Sequence, residues 1–200
     1  TGNHGLVSSL SFNGNKIVTA GGGGMLLTDN EEYARRARYL TTQAKDDPIE
    51  YLHKEVGYNY RLSNLQAALG VAQLEEIERF VGIKRLIARF YEEKLGQLPG
   101  IRTMPRVANS EPTFWLYTVL LDPETTLASR RKFVDNLRSD GIGVRSLWYP
   151  INDLPPFQKC QSYQITSSSD LFRRAVSLPS GVGIQKTSLE RCTESFVRHL

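Results

Sequence analysis

Four consecutive glycines, Gly21 to Gly24, stand between two short apolar runs, Leu6–Phe12 and Met25–Thr28. Glycine carries no Cβ, so a run of it lets other backbone or a flat ligand approach the chain closely. The flanking runs predict two strands joined by this loop. Inside the loop lies Lys16, in Ser11-Phe12-Asn13-Gly14-Asn15-Lys16, a polar turn whose small neighbours do not shield the amine. An amine attacks carbonyl carbon only once desolvation or a neighbouring positive group lowers its pKa. Taken alone, Lys16 reads first as an exposed loop lysine. The glycine run lacks the Gly-Lys-Ser/Thr ending of a nucleotide-binding P-loop and the spacing of a dinucleotide fingerprint.

Thr28-Asp29-Asn30-Glu31 has capping-box spacing and predicts a helix from there to about Thr41. Gln43–Val56 is polar, contains Pro48, and reads as an exposed loop. After Gly57-Tyr58-Asn59-Tyr60-Arg61, a second capping box at Ser63-Asn64-Leu65-Gln66 opens a long helix. Its apolar residues recur at helical spacing from Leu65 to Phe90, with a bend expected near Gly82 and an end at Pro99-Gly100. Beyond that the pattern is α+β. It predicts a central strand over Phe114–Asp122, a helix over Ser129–Asp140 stopped by Gly141, and a strand over Val144–Tyr149. An irregular stretch over Pro150–Ser169 precedes a short helix around Asp170–Val176, and a last helix is capped by Thr187-Ser188-Leu189-Glu190. The expected domains are residues 1–100, ending with the long helix, and residues 101–200.

The 200 residues suffice for one large or two small domains, and 40% hydrophobic with 23% charged content is ordinary for a globular protein. No apolar stretch approaches the roughly 20 residues that span a bilayer, and no signal-peptide pattern is present. Cys160 and Cys192 stand far apart in no metal-ligand spacing, so no metal is expected and a reduced, cytoplasmic setting is the default. The net charge of +4 is spread along the chain. Arg35, Arg36 and Arg38, Lys84-Arg85 and Arg130-Arg131-Lys132 fall on helical segments and read as solvated faces. The opening Thr1-Gly2-Asn3-His4-Gly5 reads as a turn between elements, so the chain is expected to be the later part of something longer.

Three clusters carry candidate chemistry. Ser11 and Lys16 form the first; a hydroxyl at a strand end beside a glycine-rich turn suits a phosphate, while a half-buried strand serine is the plainer reading. Tyr58, Asn59, Tyr60 and Arg61 crowd polar groups ahead of a helix N-terminus, which suits an anion, or pack as a tyrosine loop. His53 lies nearby as a lone loop histidine. Arg145, Trp148 and Asn152 form the third; Trp148 reads as core, and Arg145 as facing either solvent or a cleft.

Together these segments resemble one family. Ser11–Met25 is similar to the lysine segment of the DegT/DnrJ/EryC1/StrS sugar aminotransferases, and Gly57–Gly70 to that family's second signature. Trp148-Tyr149-Pro150 and Leu178-Pro179-Ser180 also fit, so the resemblance covers the whole chain but only the later half of the family's length. It implies an α/β fold, fold type I of the pyridoxal-phosphate transferases, here the end of the large domain plus a small C-terminal α+β domain. It implies pyridoxal 5'-phosphate as cofactor and an intimate homodimer with shared active sites. Lys16 would form the Schiff base with the cofactor and shuttle the proton, Ser11 would hold the cofactor phosphate, and Asn59 the phosphate of the neighbouring subunit's cofactor. His53, Arg61, Trp148 and Asn152 would line the substrate side. Glutamate would donate the amino group, and a nucleotide-linked 4-keto-deoxysugar for surface polysaccharide would accept it.

Two departures stand out. The family's phosphate-binding turn, ring-stacking aromatic and acidic partner of the pyridine nitrogen are absent from these residues. Its Pro-Leu-His reads Pro150-Ile151-Asn152. The chain alone is therefore expected to be a poor aminotransferase, since without the acidic partner the electron sink weakens. Rival readings are a sugar dehydratase, against which Lys16 argues because those relatives carry histidine there, and a non-catalytic dimerisation or binding module. A nucleic-acid module rests only on the pI of about 9.1, with no aromatic-basic motif behind it.

Overall fold

Ser8–Ser11 (β1) and Gly24–Leu27 (β2) pair antiparallel, with Ser8 opposite Leu27 and Ser11 opposite Gly24, as the flanking apolar runs predict. The computed structural model describes every residue except Thr1, Asn3 and Pro48. Glu31–Thr41 (α1) follows, but its cap is Asn30 rather than Thr28. Asn30 Oδ1 accepts from the N–H groups of Glu32 and Tyr33 at 2.9 and 3.1 Å, whereas the Thr28 hydroxyl donates to the Leu6 carbonyl at 2.7 Å. The stretch expected as a loop over Gln43–Val56 holds a small hairpin, Lys45–Asp47 (β3) against Leu52–His53 (β4).

Asn64–Glu75 (α2) starts at the expected box: Ser63 Oγ accepts from Gln66 N–H, and Gln66 Oε1 accepts from Ser63 N–H at 3.0 Å. The helix runs unbroken through Gly82. It breaks at Glu76, whose N–H reaches the Gln73 carbonyl in a tightened turn, and resumes as Ile77–Leu95 (α3). Neither glycine nor proline marks that break.

The chain divides into two compact units, Thr1–Arg79 and Phe80–Leu200. The division lies inside α3, at Phe80, the first residue of that helix to be buried, followed by Lys84, Ile87, Ala88, Tyr91 and Leu95. That spacing is one helix stripe facing a core.

In the second unit the remaining elements run Tyr117–Leu120 (β5), Leu127–Ser139 (α4), Arg145–Ser146 (β6), Ser167–Arg174 (α5), Ala175–Leu178 (β7) and Lys186–His199 (α6). The strands form an antiparallel sheet ordered β5-β7-β6. The strand expected at its centre is therefore an edge. The centre is β7, all four of whose residues are buried, in a stretch expected to be partly helical. Helix α6 begins after Gln185, with no side-chain cap at the expected Thr187–Glu190 box. Tyr91 stacks on Tyr117 at 5.1 Å between ring centres, and Phe133 meets Phe196 edge-on at 5.0 Å. With Val119, Leu137, Val144 and Val176 these rings form the core, each side chain contributing about 1.5–3 kcal/mol by its burial. Among the described residues no helix is long and apolar enough to cross a membrane.

Two cations expected on solvated faces lie in this core instead. Lys84 is 7% exposed and Arg130 6%. Lys84 Nζ donates to the carbonyls of Trp115, at 2.8 Å, and Ser180. Arg130 donates to the Phe172 carbonyl, with its guanidinium 4.7 Å from the centre of the Phe172 ring.

Candidate active site

The lysine loop is built around one backbone group. The Phe12 N–H donates to the Gly23 carbonyl at 3.0 Å, and the Phe12 carbonyl accepts from Ala20 N–H at 3.0 Å and from the Thr19 hydroxyl at 3.2 Å. Thr19 Oγ1 in turn accepts from Gly21 N–H at 2.9 Å. Residues 13–16 close a tight turn, Lys16 N–H to the Asn13 carbonyl at 3.0 Å. The Ser11 hydroxyl, at the end of β1, accepts from Asn13 N–H at 3.4 Å and keeps its own proton to donate.

The glycines act in different ways. Gly23 has φ +77°, the left-handed region where a side chain is strained, and a Cβ there would also meet the Leu62 side chain. A Cβ on Gly24 would stand 2.3 Å from the Leu10 carbonyl oxygen across the hairpin. Gly14 and Gly21 border open space instead. The positions a Cβ would take on Gly22 and Gly70 lie 3.7 Å from the Gln66 side chain and the Ala20 Cβ. The lysine hairpin thus rests on Leu62 and the first turns of α2, the segment that follows the second sequence cluster.

The second cluster is extended chain. Tyr58 N–H donates to the Leu40 carbonyl at 2.7 Å, Gln43 N–H to the Tyr58 carbonyl at 3.0 Å, and Asn59 pairs as a bridge with Thr42. Tyr58 and Tyr60 stack at 4.9 Å, so Asn59 between them faces the opposite side of the strand. Gly57 admits the chain so close to Gln43 and Ala44 that a Cβ would lie 2.2 Å from Ala44 N. His53 Nδ1 sits 2.8 Å from the Gln43 carbonyl, which makes that nitrogen the N–H donor. It pins Gln43 and Ala44, both at positive φ. Arg61 is exposed just ahead of α2.

The third cluster lies in the second unit. Trp148 is not core: it is 66% exposed and stacks on Trp115 at 6.1 Å. Arg145 is exposed on β6 while its neighbour Val144 is buried. Asn152 donates to Asp153 Oδ1 at 2.6 Å and lines a cleft of about 340 Å³ with Ile151, Tyr163 and Ser167. Lys84, read as solvated, ties the Trp115 and Ser180 segments together, and Tyr91 Oη donates to the Pro179 carbonyl at 2.8 Å. The signal for Lys84 was its place on the Phe80, Ile87 and Tyr91 stripe.

A model of the DegT/DnrJ/EryC1/StrS aminotransferase family matches residues 1–197. The chain is 39% identical over 198 residues to EpsN of Bacillus subtilis. That match takes in 97% of this chain and 50% of EpsN. It is 32% identical over 192 residues to GDP-perosamine synthase of Caulobacter vibrioides, with 96% of this chain and 52% of that protein covered. The chain thus spans about half the length of the curated relatives it matches. The structure of PseC from Helicobacter pylori, an aminotransferase of pseudaminic acid biosynthesis, superposes with TM-score 0.87 at 22% identity over 97% of this chain and 53% of PseC. That likeness shows the fold, which is the expected partial type I fold of the pyridoxal-phosphate transferases. The sequence match across both units shows the lineage: the chain belongs to the DegT/DnrJ/EryC1/StrS aminotransferase family.

Proposed function

We propose that this chain carries the lysine side of the active site of a pyridoxal-phosphate-dependent aminotransferase. Its acceptor is a nucleotide-linked 4-keto-deoxysugar, its amino donor glutamate, and its product feeds surface polysaccharide or glycan. The lysine hairpin carries this reading. Lys16 is held at a tight turn one strand end away from the Ser11 hydroxyl, with open space over Gly14 and Gly21. These residues fit the cofactor: the Ser11 hydroxyl has a proton to donate to a phosphate oxygen, and glycine leaves room for a flat ring. Bound pyridoxal phosphate supplies a reactive carbonyl and an electron sink.

The protein side of the work falls to three positions. Lys16 Nζ is the nucleophile that holds the cofactor and the base that carries a proton off and onto the substrate carbon. Ser11 orients the phosphate. Asn59, on the strand face opposite the stacked tyrosines, reaches the phosphate of a second subunit's cofactor in a homodimer. His53, Arg61, Trp148 and Asn152 serve the substrate side; His53 also fixes its own loop through Nδ1. The similarity to the GDP-perosamine synthase of Caulobacter vibrioides supports a nucleotide-linked sugar as acceptor.

The test is covalent. The chain is incubated with pyridoxal phosphate, reduced with borohydride, digested and mapped by mass spectrometry. The label is expected on the Lys16 peptide and lost in Lys16→Ala. Label spread evenly over surface lysines, or undiminished in Lys16→Ala, refutes the assignment; no label at all favours a non-catalytic binding or dimerisation module.

A further inference from the structure

The chain leaves helix α1 by an unusual route. The two residues after its cap, Gln43 and Ala44, have φ +72° and +49°, in the left-handed region that residues with a Cβ rarely adopt in succession. Such a kink persists only where its surroundings hold it. Its backbone donors go to backbone: Gln43 N–H to the Tyr58 carbonyl at 3.0 Å and Ala44 N–H to the Tyr39 carbonyl at 2.8 Å. Its carbonyls are served by a side chain. His53 Nδ1 stands 2.8 Å from the Gln43 oxygen and 3.3 Å from the Ala44 oxygen. Both oxygens are acceptors, so Nδ1 carries the proton and shares it between them. Register puts the ring there, since His53 on β4 pairs with Lys45, the residue next to Ala44. Against the same kink lies the strand that carries Asn59. Gly57 packs on Gln43 and Ala44, Asn59 bridges to Thr42, and Tyr60 N–H reaches the Thr41 carbonyl at 3.1 Å.

We propose that His53 is a positioning residue for Asn59. Its Nδ1–H fixes the Gln43–Ala44 kink, the kink sets the strand from Gly57 to Tyr60, and that strand presents Asn59. The imidazole acts through backbone, with no need to touch a ligand itself. The consequence for chemistry rests on the reading of Asn59 as a ligand of the cofactor phosphate.

Amide isosteres separate this role from a ligand contact made at the far ring nitrogen. The side-chain NH2 of asparagine takes the place of Nδ1, and that of glutamine the place of Nε2. Amide hydrogen exchange is followed in the full chain for wild type, His53→Asn, His53→Gln and His53→Leu, with α6 as the internal control. Losing the hydrogen bond should speed exchange at Gln43 and Tyr58 by about threefold to tenfold in His53→Gln and His53→Leu. His53→Asn should restore most of the protection, with α6 unchanged throughout. Imidazole nitrogen shifts should place the proton on Nδ1. The chemical readout is phosphate preference: the rate of borohydride-trapped labelling at Lys16 by pyridoxal phosphate relative to pyridoxal. A fold defect lowers both labels together, whereas a displaced phosphate ligand lowers the ratio. The ratio should fall in Asn59→Ala, His53→Gln and His53→Leu and recover in His53→Asn. Protection kept in His53→Gln, protection lost alike in all three variants, or a neutral ring with its proton on Nε2 overturns the proposal. A ratio that falls in Asn59→Ala but not in His53→Gln overturns it as well. No label at Lys16, or a ratio indifferent to Asn59→Ala, sinks the cofactor reading of those residues instead, and the exchange pattern alone then decides whether His53 holds the strand.

Discussion

Lys84→Met tests whether a buried cation holds the second unit together. Lys84 is 7% exposed, and its ammonium donates to two carbonyls, those of Trp115 and Ser180, far apart in sequence. Methionine matches the stem but donates nothing. The Ser180 carbonyl left without its donor costs about 1–3 kcal/mol, and the Trp115 carbonyl, which keeps only the long contact from the Ser180 hydroxyl at 3.5 Å, adds a further share of about 1–2 kcal/mol, against which the variant recovers the ammonium's desolvation cost. The net expectation is a loss of about 2–4 kcal/mol, read as a lower urea midpoint with unchanged slope. The pH dependence carries a second signature. Burial pushes the Lys84 pKa down, so between its folded value and the ordinary 10.5 the unfolded chain binds more protons. Stability then rises with pH across that window, and Lys84→Met should lack the rise. Tyr91 and Tyr117, whose pKa values burial raises, act in the opposite direction above about 10 in wild type and variant alike, so the difference between the two isolates Lys84. A variant within about 0.5 kcal/mol of wild type, with the same pH slope, would refute the reasoning.

Two glycines should respond with opposite sign. Gly24→Ala places a Cβ 2.3 Å from the Leu10 carbonyl oxygen and should cost about 1–3 kcal/mol, with faster hydrogen exchange in β1 and β2. Gly82→Ala, inside α3 with nothing within 4 Å, should gain about 0.5–1 kcal/mol; both are read from urea midpoints, and equal shifts would contradict the hairpin geometry. At Asp140, the Ser195 hydroxyl at 2.7 Å and His199 Nε2 at 2.9 Å hold the carboxyl below its usual range. That contribution is present above the unfolded pKa and is lost as pH falls through the folded one, so Asp140→Asn should flatten the acid limb of the stability profile. Superimposable acid limbs in variant and wild type would exclude it.

The elements that sequence alone disclosed are those fixed by local chemistry. The Ser63–Gln66 box sits where its spacing puts it because two reciprocal hydrogen bonds within four residues decide it. The β1–β2 hairpin follows from apolar runs either side of glycines. The failures lie where distant contacts decide. Ala175–Leu178 has too short a pattern to declare itself; it becomes the central strand because β5 and β6 pair on either side of it. Thr28 and Asn30 both had the chemistry of a cap. The Leu6 carbonyl, 22 residues away from Thr28, engages its hydroxyl and leaves Asn30 to start α1.

The same distinction separates the parts of the candidate site. Lys16, Ser11 and the glycines were legible because one hairpin holds them and their order along the chain nearly specifies their geometry. The support for that hairpin was not, since Leu62, Gln66 and Gly70 meet it only through the turn of α2. Trp148 was misread for a related reason. An isolated tryptophan is usually at least half inside, because its large apolar area favours burial. Here another tryptophan, 33 positions earlier, covers one face and satisfies that tendency only partly. Lys84 shows the reverse error: its charge argued for water, while the stripe of Phe80, Ile87 and Tyr91 carried it inward to two waiting carbonyls. A cation where the helix pattern demands an apolar residue, and an indole left wet where burial is expected, are linked by one hydrogen bond through Trp115.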